Sequence, residues 1–193
     1  MTDWGKLYRE AVEREGDIRD LAFLGQPEAI SGLEVRPLTS RHVLWLQLAR
    51  SPFLTNGQVE FELVPATIEQ FLRIVITDSI HAPADDKRID KLLADKVRSN
   101  GLVELVMGIK EYLDEAFIDA PTGKPGRLYY SRVAPIASFL CETTGQNIEQ
   151  ALSTPLKVAF QLMKVHRQKN IPKCILFNPS DNITSRWLAS ETN

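Results

Sequence analysis

The chain of 193 residues has few of the residue types that build metal sites or disulfide frameworks. Its three histidines, His42, His81 and His166, are far apart, and it has neither a His-x3-His nor a Cys-x2-Cys pair. A zinc site of the usual spacing is therefore excluded. The two cysteines, Cys141 and Cys174, both lie in apolar runs and are interpreted as reduced thiols of a cytosolic protein.

Long apolar runs, internal repeats and a strong net charge are also missing. No run approaches the roughly 18 apolar residues that a membrane span requires, and the opening MTDWGKLYRE lacks the apolar core of a signal peptide. We therefore expect a cytoplasmic protein with no membrane partner. The formal net charge of −2 argues against a generally basic nucleic-acid binder. The lack of repeats excludes a solenoid.

What the chain does contain is helical periodicity. Apolar residues recur at i, i+3, i+4 and i+7 through most of the sequence. The pattern predicts an all-α fold, a compact multi-helix bundle that is mainly α, with at most a short strand or hairpin near 30–36 and 58–64. The length fits a single helical domain over 1–193, in which 1–36 is a candidate N-terminal subdomain or arm.

Capping and breaking residues predict where the helices begin and end. Gly16 is expected to end a first helix that carries Trp4, and Asp17 to cap a second one that Gly25 closes. Further helices are expected to begin at or just after Thr39 or Ser40, Pro65 or Thr67, Asp85, Gly101, Ser131, and Ser153 or Thr154. The apolar stripes of these helices predict a core that includes Leu105, Ile109, Leu113, Leu140, Phe160 and Met163.

The late basic helix, residues 155–169, has an unusual distribution of polar residues. Its stripe of Lys157, Gln161, Lys164 and Gln168 is narrow, and nearly everything between is apolar. A surface helix normally has the reverse, a wide polar face and an apolar stripe. Two interpretations remain open: either this is a central core helix, or another chain covers one of its apolar sides.

Charge is unevenly distributed along the chain. Residues 1–34 hold four basic and eight acidic side chains, a net charge of −4, whereas 153–173 hold five basic side chains and no acid. The two segments could attract each other, within one chain or between copies. The alternative is two solvated faces that never meet.

Two short stretches resemble catalytic loops. TDSIHAPADD, residues 77–86, brings Asp78, Ser79, His81, Asp85 and Asp86 together in sequence, and NPSD follows an apolar run at 178–181. Near neighbours in sequence seldom point at one spot, and both stretches are explained by turns followed by helix caps. The sequence predicts no catalytic residue, no metal site and no cofactor.

Three regions resemble bacteriophage and prophage tail proteins of the tail assembly chaperone type. These are VRPLTSRHVLWLQLARSPFL at 35–54, EQFLRIVI at 69–76, and STPLKVAFQLMKVHRQKN at 153–170 with ILFNPSD at 175–181. In that group a Pro-Leu-Thr stretch opens a helix that ends at Ser-Pro or Asn-Pro, and a second Pro-Leu helix with a central Phe-Gln or Trp-Gln lies near the C-terminus. Leu162 stands where the group has an aromatic residue.

The resemblance implies a non-enzymatic protein of the host-cell cytoplasm that keeps the helical tape measure protein soluble during tail assembly. The expected partner is that protein or another phage tail protein, with a second copy of the chain as a further candidate. A groove of amphipathic helices suits such a partner. The residues expected to bind it lie on the late basic helix: Leu156, Phe160 and Met163, flanked by Lys157, Lys164 and Arg167.

Two other functions rank lower. A nucleic-acid-binding module would use the basic helix 155–169, but the positive charges there alternate with apolar residues and include no aromatic stacking platform. A metal-dependent enzyme would use the 78–86 loop.

Overall fold

The computed structural model describes residues 4–54, 65–77, 86–120, 131 and 133–170. These residues form eight α-helices, one two-stranded antiparallel hairpin and a short 3-10 turn, which confirms the predicted mainly α class. The predicted strand at 58–64 and the NPSD stretch lie outside the described residues. The elements are α1 (Trp4–Phe23), β1 (Glu28–Ile30), β2 (Leu33–Val35), α2 (Ser40–Leu48), the 3-10 turn (Pro52–Leu54), α3 (Pro65–Thr77), α4 (Lys87–Arg98), α5 (Leu102–Ala116), α6 (Ala134–Thr144), α7 (Ile148–Ser153) and α8 (Leu156–Asn170).

The first helix is longer than predicted. Gly16 does not end it, and α1 runs without interruption to Phe23, after which Gly25 adopts a positive φ of 64°. Glycine in a helix interior costs about 1 kcal/mol relative to alanine, which weakens a helix without necessarily ending it. Arg14 and Arg19, on either side of Gly16, both make ion pairs with the body of the protein, so tertiary contacts outweigh the local preference.

The predicted hairpin near 30–36 is present at 28–35. Ser31 and Gly32 both have positive φ angles, 49° and 82°, as a two-residue hairpin turn requires. Ile30, Leu33 and Val35 are buried. The turn lies close to α5: a Cβ at Gly108 would be 3.3 Å from Ser31 Oγ. The hairpin is therefore part of the core that α3, α4 and α5 form around it.

Side-chain caps define the starts of α2 and α4. Thr39 caps α2 as predicted, because its Oγ1 accepts from His42 N at 3.2 Å while Thr39 N donates to His42 Nδ1. The cap of α4 is Asp86, so the predicted cap, Asp85, was wrong by one residue. Ser131 was also wrong as the cap of α6: the N-cap position is Val133, two residues nearer to Pro135.

The predicted core is largely confirmed. Leu105, Ile109 and Leu140 are fully buried, Leu113 and Phe160 are nearly so, and Met163 is partly buried against them. The start of α8 is attached to the segment before α2, where Leu156 N donates to Leu38 O at 2.7 Å. This places α8 across α1, α5 and α6.

Candidate functional site

A groove of about 1280 Å3 lies between α1 and α5, and the start of β1 contributes to its lining. One face of α1 lines it at helical spacing through Ala11, Arg14, Ile18, Leu21 and Ala22. The opposite side is a face of α5, with the beginning of the turn after it: Glu104, Met107, Gly108, Glu111, Tyr112, Glu115, Phe117 and Ile118. The patterns in the sequence did not predict this groove.

The groove has an apolar lining that is open to solvent. Met107 is 58% exposed and Leu21 is 50% exposed, although both are large apolar side chains. Charged residues flank this apolar strip, which is the usual composition of a surface that binds another molecule.

Two arginines of α1 reach across to the carboxylates of α5 and the turn that follows it. Arg14 Nη2 lies 2.7 Å from Glu111 Oε1 and 3.2 Å from Glu115 Oε1. Arg19 Nε lies 2.8 Å from Asp119 Oδ2. Glu111, Glu115 and Asp119 follow one another at four-residue intervals, and we call these three side chains the acidic row.

Lys157 of α8 forms the buried end of this charge network. It is only 5% exposed, and its Nζ lies 2.9 Å from Glu28 Oε1 and 3.4 Å from Glu115 Oε2. Burial raises the pKa of Glu28, and the opposing effect of Lys157 does not cancel it. The other oxygen, Glu28 Oε2, is buried without a hydrogen-bond partner among the described residues. This cluster is therefore a costly arrangement that depends on Lys157.

Two further residues of the polar stripe of α8, Gln161 and Lys164, also face the protein, whereas Gln168 is exposed. Lys164 Nζ lies 2.8 Å from Asp119 Oδ1, and Gln161 Nε2 donates to Arg19 O at 3.4 Å. Lys157, Gln161 and Lys164 thus anchor α1 and the acidic row and do not form a solvated edge. The predicted attraction between the first segment and the late basic helix occurs within the chain as the Lys157–Glu28 pair, while most carboxylate partners of α8 come from the acidic row.

The six residues predicted to bind a partner lie in different environments. Leu156 and Phe160 are buried in the core, and Lys157 is buried in the charge network. Met163 is partly buried and Lys164 is paired with Asp119, whereas Arg167 is exposed. The core interpretation of α8 therefore accounts for Leu156 and Phe160, and a partner could reach them only if neighbouring elements moved. The ion pairs of Lys157 and Lys164 also weaken the nucleic-acid alternative for this helix.

The other candidates from the sequence have structural roles where they can be described. Asp86 caps α4 and lies 2.7 Å from Arg88 Nη2, while residues 78–85 of that loop lie outside the described part. The ring of His166 contacts that of Phe139, with centroids 5.3 Å apart. Within the described ranges, no group of three or more His, Cys, Asp and Glu side chains is arranged to hold a metal ion.

Comparison with protein-family models, with curated proteins and with solved structures gives no match to this chain. Among the described helices, none combines the length and the apolar character needed to cross a membrane.

Asp119 should make a pH-dependent contribution to stability. Burial alone would raise its pKa, but the hydrogen bonds from Arg19 and Lys164 outweigh that effect and lower the pKa. A carboxylate with a lowered pKa stabilises the folded state above the ordinary Asp value of about 3.9, and this stabilisation is lost as the pH falls further. We expect Asp119→Asn to lower the free energy of unfolding by about 1–3 kcal/mol at pH 7. The difference in the free energy of unfolding between this variant and the wild type should become smaller below pH 4.

Urea denaturation of the wild type and Asp119→Asn, at pH 7 and between pH 3 and 4, measures the difference in their free energies of unfolding at each pH. Asp114→Asn is the matched control, because Asp114 is an exposed carboxylate of the same helix region. A deficit in Asp119→Asn that stays constant over this pH range would contradict the assignment of the ion pairs.

Proposed function

We propose that this protein is a non-enzymatic binding protein that takes up an amphipathic helix of another protein in the groove between α1 and α5. The observation that carries the proposal is the exposed apolar lining, Met107 and Leu21, between charged edges. Helix-in-groove recognition uses such a surface, because the apolar face of the bound helix replaces water over the strip. Methionine suits this role because its flexible side chain adapts to different partners.

A helix that lies along the groove would place its apolar face over Leu21 and Met107. Arg14 and Glu111 at the edge of the groove are largely exposed, so they can form polar contacts with the rim of a bound segment.

The resemblance to tail assembly chaperones suggests which helical protein this is. We propose the tape measure protein of a phage tail as the partner. A long helical protein has many amphipathic segments, and their apolar faces must be shielded from water until the tail assembles. The groove replaces the late basic helix as the proposed binding surface, because Leu156 and Phe160 are buried. Arg167 remains an exposed side chain that a partner could contact.

The test is co-expression with a phage tape measure protein, to be sought as a long helical reading frame beside the gene of this chain. We expect the wild type to keep that client soluble and to co-purify with it. Met107→Lys should lower the co-purified amount about tenfold or more, because a charged side chain in the apolar strip costs at least about 1.4 kcal/mol of binding. Val103→Lys is the matched control: Val103 is 54% exposed on the same helix but does not line the groove.

Two results would contradict this function. The first is a client that stays insoluble and unbound with the wild-type protein. The second is equal loss of client binding in Met107→Lys and Val103→Lys, which would remove the groove as the binding surface. If instead the protein retains DNA and Arg167→Gln abolishes that retention, the nucleic-acid alternative is correct.

A further inference from the structure

A second concave surface, which we call the α2–α7 cleft, lies between those two helices. Its volume is about 550 Å3, and Leu44, Trp45 and Leu48 of α2 face Leu152 of α7 across it. In the described part of the chain, no residue lines both this cleft and the groove between α1 and α5. The two surfaces can therefore be occupied independently.

Large apolar side chains are exposed on both sides of the α2–α7 cleft. Leu48 of α2 is 67% exposed, and Ile148, one turn before Leu152 on α7, is 55% exposed. Leu44 and Leu48 are one turn apart on α2 and both line the cleft, so they form a ridge along its edge. A ridge beside a cleft on one surface is what a self-complementary contact requires, because the same surface meets itself there.

The residues that line the α2–α7 cleft are also of the types that protein interfaces favour. Besides the leucines they include Trp45, which is partly buried, and Arg41. Tryptophan and arginine are enriched among the residues that contribute most to binding, whereas lysine, aspartate, serine and alanine are depleted in interfaces. The described lining contains none of these four depleted types, and Glu149 is its one acid.

The charges of the α2–α7 cleft indicate which partner fits it. Among the described residues that line it, only Arg41 and Glu149 are charged, and they form an ion pair, so the net charge is zero. A strongly acidic or basic partner therefore gains little here. Glu149 remains 75% exposed, so its carboxylate can accept a second guanidinium while it keeps the first. A second copy of the chain, related by a two-fold axis, supplies that guanidinium and presents its own carboxylate to Arg41.

We infer that the α2–α7 cleft is the interface of a two-fold symmetric homodimer. The ridge of Leu44 and Leu48 of each protomer covers the cleft of the other, and the two Arg41–Glu149 pairs lie side by side as four alternating charges. No contact within the chain has to break. The inference goes beyond the proposed function and does not depend on it. Such a dimer carries two grooves between α1 and α5, which could hold two segments of one long helical protein.

Analytical ultracentrifugation of the full chain measures the association. We expect the wild type to form a dimer with a dissociation constant in the micromolar range, because a small interface associates weakly. Leu48→Lys should raise this constant about tenfold or more, since a charged side chain replaces an apolar contact. Leu24→Lys is the matched control: Leu24 is 70% exposed but does not line the cleft, so the dissociation constant should equal that of the wild type. Because both leucines are exposed, circular dichroism should show the wild-type helix content in each variant.

Charge reversal tests the two-fold arrangement. Arg41→Glu and Glu149→Arg should each weaken the dimer about tenfold or more, because the four charges at the interface then have one sign. An equimolar mixture of the two variants should form a heterodimer, in which the carboxylates of one chain face the guanidinium groups of the other. Native mass spectrometry distinguishes this heterodimer by its mass. The pair within each chain stays broken in the mixture, so a purely local effect of the substitutions would not be rescued.

A wild type that stays monomeric up to about 200 µM would overturn the inference, since the dimer is then weaker than the micromolar range. So would a dimer that Leu48→Lys leaves unchanged or that Leu24→Lys weakens equally, and so would a mixture without heterodimers. A monomeric wild type whose client binding is lost in Leu48→Lys would assign the cleft to another protein. Client co-purification retained in a monomeric Leu48→Lys would support the interface and show that the proposed function does not need it. The expected dimer without any client binding would support the interface and remove the proposed function.

Discussion

Replacing Phe160 by Ala is expected to lower the free energy of unfolding by about 3–5 kcal/mol, because the ring is buried and its removal leaves a cavity. Phe160 is 4% exposed, and its ring lies 5.9 Å from that of Phe117, measured between centroids. It connects the middle of α8 to the end of α5, at the place where the charge network also joins these helices. Urea denaturation at pH 7, followed by circular dichroism, measures the loss.

Val165→Ala is the matched control for Phe160→Ala. Val165 lies on the same helix and is 47% exposed, so its truncation should change the free energy of unfolding by less than about 0.5 kcal/mol. An unchanged denaturation midpoint in Phe160→Ala would mean that α8 does not pack as described.

The sequence predicts a helix well when its apolar stripe and the residues that cap or break it indicate the same helix limits. The stripe from Leu102 to Ala116 follows the break at Asn100, which has a positive φ of 53°, and α5 occupies the predicted position. Thr39 and Gly145 likewise mark helix ends by local chemistry, a side-chain cap and a left-handed residue. Such signals depend on neighbouring residues alone, so the sequence is sufficient to find them.

Gly16 shows why the sequence does not predict other helix ends. Its cost to the helix is a local quantity, but α1 is stabilised through Arg14 and Arg19 by carboxylates about 100 residues away. The spacing of apolar residues along the chain contains no information about such distant partners. The hairpin depends on both local and distant residues. Ser31 and Gly32 favour a turn by their own chemistry, whereas the burial of the two strands depends on α5.

The candidate site could be predicted only in part. The charge difference between the first segment and the late basic helix indicated an attraction, and Lys157–Glu28 realises it within the chain. The groove could not be foreseen, because it requires two helices distant in sequence to stand apart while arginines span the gap. Acids four residues apart at Glu111, Glu115 and Asp119 were the available signal, although on a helix such a pattern is also typical of a solvated face.

The polar stripe of α8 shows that polarity in a sequence does not determine exposure. Lys157 and Lys164 belong to the polar stripe and were expected to flank a partner-binding surface, yet both face carboxylates inside the protein. A charge can be placed there because each ammonium group has one or two carboxylate partners within 3.4 Å. The apolar sides of α8 then pack against the core, so the stripe and the core contacts together surround much of the helix.

Because Lys157 is buried between two carboxylates, Lys157→Ala is expected to cause the second large loss of stability. Removing the ammonium group leaves Glu28 and Glu115 close together, largely enclosed and without their shared cation. We expect the free energy of unfolding at pH 7 to fall by about 3 kcal/mol, near the lower end for breaking a buried ion pair because Glu115 keeps some contact with water. Glu28→Gln combined with Lys157→Met is the matched control, since it removes both charges at similar volume, and its loss should be smaller.

The deficit of Lys157→Ala should also depend on pH, and the sign follows from Glu28. Burial raises the pKa of Glu28 in the folded state above the ordinary Glu value of about 4.3. A carboxyl group with a raised pKa contributes stability below its unfolded value, and this contribution is lost as the pH rises through the folded value. Without Lys157 the raised pKa has no cation to oppose it, so lowering the pH from 7 to about 4.5 should restore part of the lost stability. The double variant lacks this carboxylate and should not recover in the same way. Urea denaturation of the three proteins across this range measures the effect, and a deficit in Lys157→Ala that does not shrink would show that Glu28 is not the group left uncompensated.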